Sequence, residues 1–126
     1  MNLVDSSGWL EYLVEGPNAS FFASALENTD DLIVSVINMY EVFKKITRER
    51  SEDSAWQVVG LMNQAYVVQI DTVLALEAAR LSIDVHLPMA DSLILTTARR
   101  HQAVLWTQDA HFSGLDGVRF IAKQSK

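Results

Sequence analysis

Short runs of β-branched, aliphatic and aromatic residues alternate along the chain with segments whose apolar positions recur at helical spacing. The runs are Asn2–Asp5, Leu32–Ser35, Tyr66–Ile70, Ala103–Trp106 and Val118–Ile121. They have the pattern of strands covered on both faces. Between them, Ala19, Phe22, Ala23 and Leu26 follow i, i+3, i+4, i+7. So do Val36, Met39, Tyr40 and Phe43; Ala55, Val58, Val59 and Met62; and Ala90, Leu93, Ile94 and Thr97. Leu74, Ala78, Leu81 and Val85 form a further stripe. These spacings predict amphipathic helices. Asp71 and Ser51 stand where N-caps are expected, and Gly16-Pro17-Asn18 reads as a turn between two N-terminal helices.

Strands that alternate with helices imply a mainly parallel five-stranded sheet with helices on both faces, because parallel neighbours need crossovers. The expectation is a three-layer α/β/α sandwich formed by one domain over residues 1–126, with no linker, repeat or low-complexity segment. Lys123 to Lys126 read as a frayed tail.

Composition narrows the chemistry. With 10 Lys plus Arg against 16 Asp plus Glu, the formal charge is −6. A binder driven by counterion release is expected to be basic, so a nucleic-acid partner needs another source of attraction here. The chain has no cysteine, which excludes disulfides, thiol catalysis and Cys-ligated zinc or iron–sulfur sites. No apolar run reaches the roughly 18 residues of a membrane span. Asp5 and Glu11 without a basic flank do not read as a secretion signal. A soluble cytoplasmic domain is expected.

In such folds ligands bind outside the carboxyl ends of the strands. Asp5 closes the first strand. Glu41 lies roughly 9 Å along the helix that follows Ser35. Asp91 sits in the first turn of a helix entered through Leu87-Pro88, and Asp109 lies just past the Ala103–Trp106 strand. All four carboxylates are therefore able to face one end of the sheet. Each also has a plain structural role: Asp5 and Asp109 as caps, Asp91 against a helix dipole, and Glu41 in a capping box headed by Asn38. Those roles do not explain four anions at one point, whose repulsion calls for cations. An oxygen-rich cluster suits Mg²⁺ or Mn²⁺.

Other candidates are weaker. His86, His101 and His111 lack metal-ligand spacing and read as surface or locally hydrogen-bonded residues. Trp9, Trp56 and Trp106 fall in apolar stripes or a strand and read as core or interface packing. The five glycines form no phosphate-binding loop. A nucleophilic-aspartate phosphatase at Asp5 would want a second acid nearby, and Ser6-Ser7-Gly8 supplies none. Lys44, Lys45 and Arg48 follow Glu41 on its helix face, where they either contact phosphate or form a solvated face paired with acids.

Several ordered segments carry a resemblance. They are Asn2-Leu3-Val4-Asp5-Ser6-Ser7, Ser35-Val36-Ile37-Asn38-Met39-Tyr40-Glu41-Val42, Leu87-Pro88-Met89-Ala90-Asp91-Ser92-Leu93-Ile94-Leu95-Thr96-Thr97-Ala98 and Ala103-Val104-Leu105-Trp106-Thr107-Gln108-Asp109. In these the chain resembles a PIN domain, specifically the small toxin ribonucleases of VapC type, along its whole length. The resemblance implies that Asp5, Glu41, Asp91 and Asp109 form an acidic Mg²⁺ or Mn²⁺ site, with Asp5 and Asp91 the main direct ligands. Ser6 and Thr107 match supporting polar positions. Family members often carry an acid where this chain has His111, and Asp116 is the nearest substitute should the role of the last acid have moved. The implied activity is metal-assisted endoribonuclease hydrolysis of an RNA phosphodiester, leaving a 5′-phosphate and a 3′-hydroxyl. A cognate antitoxin and a homodimer are implied as partners. The alternatives are an inert PIN-like module that binds protein or RNA, and a nuclease of housekeeping RNA processing.

Overall fold

The structure is a computed structural model that describes residues 1–124. Of the expected tail, Lys123 and Gln124 have no regular secondary structure, while Ser125 and Lys126 lie outside the described residues. The order of elements is β1 (Asn2–Val4), α1 (Ser6–Leu13), α2 (Ala19–Leu26), a 3-10 turn (Thr29–Asp31), β2 (Leu32–Ser35), α3 (Val36–Glu49), α4 (Glu52–Met62), β3 (Tyr66–Val68), α5 (Thr72–Val85), α6 (Met89–Arg100), β4 (Val104–Thr107), a second 3-10 turn (Ala110–Phe112) and β5 (Val118–Phe120).

The five strands form one sheet in the order β3-β2-β1-β4-β5, with every pairing parallel. Alternation along the strands splits the core between two faces. Val4, Val34 and Trp106 pack with Trp9, Phe22, Leu26, Val42, Ala55 and Met62 from α1–α4. Leu3, Ile33 and Leu105 face Ile94, Leu95 and Ala98 of α6, with Leu74 and Ala78 of α5 beyond. The result is the three-layer α/β/α sandwich that the pattern predicts. The sheet grows outward in two directions from its middle, so the boundary between β1 and β4 is the switch point where ligands enter such sheets.

Local signals account for the helix starts. Asp5, Ser51 and Asp71 cap α1, α4 and α5 by accepting from the backbone N–H groups of Gly8, Ser54 and Leu74. Helix α3 departs from expectation. Its capping box lies three residues earlier than predicted, with Ser35 as the cap and the fully buried Asn38 reaching back to the Ser35 N–H. Its buried face is Asn38, Val42 and Ile46, not the stripe through Tyr40, which is 62% exposed. That stripe leans instead toward α4, where Phe43 meets Trp56 edge to face at 5.0 Å. Trp9 and Trp106 are buried, whereas Trp56 is 58% exposed. No helix among the described residues is long and apolar enough to cross a membrane.

Candidate active site

The chain leaves β1 at Asp5, whose N–H donates to the Trp106 carbonyl of β4 at 3.1 Å. This bond ties the ends of the two strands that flank the switch point. The Asp5 side chain turns inward and is 3% exposed. Its Oδ1 accepts from the Ser7 hydroxyl at 2.7 Å and the Gly8 N–H at 3.0 Å, and its Oδ2 accepts from the Thr107 hydroxyl at 2.7 Å. Thr107 in turn accepts from the Asp109 N–H at 2.9 Å, so one hydroxyl fixes both acids. Burial lifts the Asp5 carboxyl to about 6, a rise that the hydrogen bonds from Thr107, Ser7 and Gly8 oppose and the nearby Asp109 charge adds to.

Glu41 does not serve the capping box foreseen for it. Its Oε1 accepts from the Ser6 hydroxyl at 2.6 Å, and Ser6 also lies 3.3 Å from the donating amide of Asn38. A buried asparagine thus joins the start of α3 to the start of α1 and fixes where Glu41 points. Sequence reasoning assigned Asn38 only a capping role. The signal available was a polar residue three positions before Glu41 on a helix entering the core.

Asp91 lies in the first turn of α6, half-buried, where the helix dipole favours its charge. Burial pushes its carboxyl above the usual range, and a hydrogen bond to His111 partly offsets this. His111 Nδ1 stands 2.9 Å from Asp91 Oδ2 and 3.5 Å from Asp109 Oδ1. The Asp91 contact raises the imidazole above its ordinary value. Asp109 accepts from the His111 N–H at 2.9 Å, so it caps the second 3-10 turn while facing the site.

Asp5, Ser6, Ser7, Glu41, Lys45, Asp91 and Asp109 line one cavity of about 280 Å³. The four acids named from the sequence therefore meet at one place, and Ser6 and Thr107 stand beside them in supporting contacts. Asp116 does not line this cavity; its carbonyl accepts from Arg99 at 3.0 Å. Tyr40, Glu41, Lys44, Lys45 and Arg48 form an adjoining groove. Lys45 also pairs with Glu49 at 3.0 Å, and the Lys44 ammonium lies 5.6 Å from the Tyr40 ring centroid. His111 is both exposed and locally hydrogen-bonded, as the sequence suggests. What its spacing does not reveal is that Asp91, Asp109 and His111 each offer one ligand atom, all within 4.8 Å of one another. These donors are carboxylate oxygens and one imidazole nitrogen, a set that fits a divalent cation.

Comparison with known proteins matches this architecture. Among solved structures, a toxin–antitoxin complex from Klebsiella pneumoniae superposes with a TM-score of 0.79 at 20% identity, covering 94% of this chain and 96% of that one. A DNA-bound VapBC from Salmonella typhimurium gives 0.73 at 17% identity, with 97% and 98% covered. VapC20 from Mycobacterium tuberculosis, described as a sarcin–ricin-loop-cleaving toxin, gives 0.75 at 13% identity, with 92% and 95% covered. At such identities the likeness establishes the fold. No curated protein matches the sequence. The family model of the PIN domain matches residues 3–118, nearly the whole chain and all four of the convergent acids. The chain belongs to the PIN domain family.

Proposed function

We propose that this chain is a metal-dependent endoribonuclease of VapC type, a single domain over residues 1–126, acting in the cytoplasm as the toxin of a toxin–antitoxin pair. The observation that carries this reading is the convergence of Asp5, Glu41, Asp91 and Asp109 on one cavity at the switch point of the sheet. Four carboxylates there repel one another, and a divalent cation offsets that repulsion. Asp5, Asp91, Glu41 and Asp109 are the residues to hold Mg²⁺ or Mn²⁺. Such an ion supplies an acidified water as nucleophile and shields the scissile phosphate.

The remaining roles fall to the protein. Thr107 and Ser7 fix the Asp5 carboxylate by hydrogen bonds to both of its oxygens. Ser6, braced by Asn38, holds Glu41 by a hydrogen bond to one oxygen, Oε1. Lys44, Lys45 and Arg48 line the groove next to Glu41 and give the RNA backbone a local cationic track in an otherwise acidic molecule. The site needs no histidine or cysteine nucleophile.

Two partners complete the proposal. An antitoxin segment occupies the groove between α1, α3 and α4, which Leu10, Leu13, Val14, Ile46 and Val58 line with apolar surface. A second copy of the chain forms a homodimer; exposed Val73, Leu76 and Ile83 on α5 supply apolar surface for it. The likeness to toxin–antitoxin complexes supports the antitoxin.

The direct test is cleavage of structured RNAs by the purified chain. Cleavage is expected with Mn²⁺ or Mg²⁺ and not with chelator. Asp91→Asn should lower the rate at least about 100-fold while the melting temperature in metal-free buffer stays level or rises, since repulsion is relieved. If wild type and variant leave the RNAs equally intact, the enzyme reading fails in favour of an inert binding module. Growth arrest on expression, relieved by a co-expressed antitoxin, separates a toxin from a housekeeping nuclease.

A further inference from the structure

The imidazole of His111 stands among the acids. Its Nδ1 is 2.9 Å from Asp91 Oδ2 and 3.5 Å from Asp109 Oδ1. Neighbouring ligands around one small cation, each at about 2.1 Å, sit about 3 Å apart, and opposite ligands about 4.2 Å apart. The two separations, 2.9 and 3.5 Å, are compatible with that span. The position is also built. The His111 N–H donates to Asp109 Oδ1 at 2.9 Å, and the next residue, Phe112, is fully buried and anchors the turn. The imidazole side chain is 60% exposed, so it fills no core space and its presence at the acids has no packing explanation.

We propose that His111 is a nitrogen ligand of the cation site and biases that site away from Mg²⁺, toward ions that accept imidazole. This rests on the four-carboxylate reading above. Carboxylates alone suit Mg²⁺ and Mn²⁺; an imidazole donor adds affinity for Mn²⁺ and more for Co²⁺, whereas Mg²⁺ gains little. The ligating tautomer carries its proton on Nε2, leaving the Nδ1 lone pair toward Asp91 and Asp109.

The experiment titrates the untagged full chain, freed of metal, with Mg²⁺, Mn²⁺ and Co²⁺ by calorimetry. His111→Ala should weaken Co²⁺ binding by about tenfold or more and Mn²⁺ by less, and should change Mg²⁺ by less than about threefold. His111→Asp should reverse the preference and tighten Mg²⁺. In wild type, the His111 Nδ1 nitrogen resonance should shift on adding diamagnetic Zn²⁺ while those of His86 and His101 stay in place. Equal Co²⁺ affinity in wild type and His111→Ala, or an unmoved His111 resonance in the ion-bound protein, overturns the proposal. If Asp91→Asn abolishes binding while His111→Ala leaves every affinity unchanged, the assignment of His111 falls and the carboxylate site stands. If wild type binds none of these ions, both fall together.

Discussion

A carboxylate buried as deeply as Asp5 makes the metal-free protein sensitive to pH in an unusual direction. Its carboxyl is raised from an ordinary 3.8 to about 6, chiefly by burial. The folded state therefore holds its proton more tightly than the unfolded chain does. This contribution to stability is fully present below about pH 4 and is lost as pH rises through about 6. Two pKa units correspond to about 3 kcal/mol. Asp91, raised by burial, and His111, raised by its contact with Asp91, act with the same sign. We expect the melting temperature of the metal-free chain to fall between pH 4 and pH 7. Asp5→Asn should flatten the part between pH 4 and 6 and leave the variant more stable than wild type at pH 7. A wild-type profile that climbs over that range would contradict the burial argument.

At the scale of elements, the first turn of α1 decides whether Asp5 and Ser6 reach their partners. Gly8 lies there because a side chain does not fit: a Cβ would come within 2.5 Å of Val4 Cγ1 and 2.7 Å of Phe22 Cε1, both in fully buried residues. Gly8→Ala gains up to about 1 kcal/mol of helix propensity. It should still lower stability by about 1–3 kcal/mol through overpacking, read as the shift of a urea midpoint at unchanged slope. The elements themselves were legible because each carries a local signal. All five strands stand where short apolar runs predicted them, within two residues at either end. Legibility ends where two helix faces are both apolar. Val36, Met39, Tyr40 and Phe43 match the helical period as well as the true inward face does. The true face includes the polar Asn38, whose burial depends on Ser6 and the Ser35 cap and so on tertiary structure. His111 was illegible for a related reason. Its partner Asp91 is 20 residues away, and no spacing rule joins a turn after β4 to the start of α6.

For the whole molecule, a net charge of −6 leaves little long-range attraction for RNA. Under the proposed function, attraction comes from the local track beside Glu41. Replacing Lys44, Lys45 and Arg48 together by Ala should weaken RNA binding. It should also flatten the dependence of log affinity on log salt by about 2, since each single-strand phosphate contact contributes about 0.7. An unchanged slope would assign these residues to a solvated face, as the Lys45–Glu49 pair already suggests for one of them. The strand order has a consequence in time as well as in space. β1 is central, yet its neighbour β4 begins a hundred residues later in the chain, and Asp5 waits for Thr107 and Asp109 from that late segment. During synthesis the nascent polypeptide carries its first acid long before the groups that hold it in place exist. The acid cluster therefore closes only after the segment that carries β4 and Asp109 has been made.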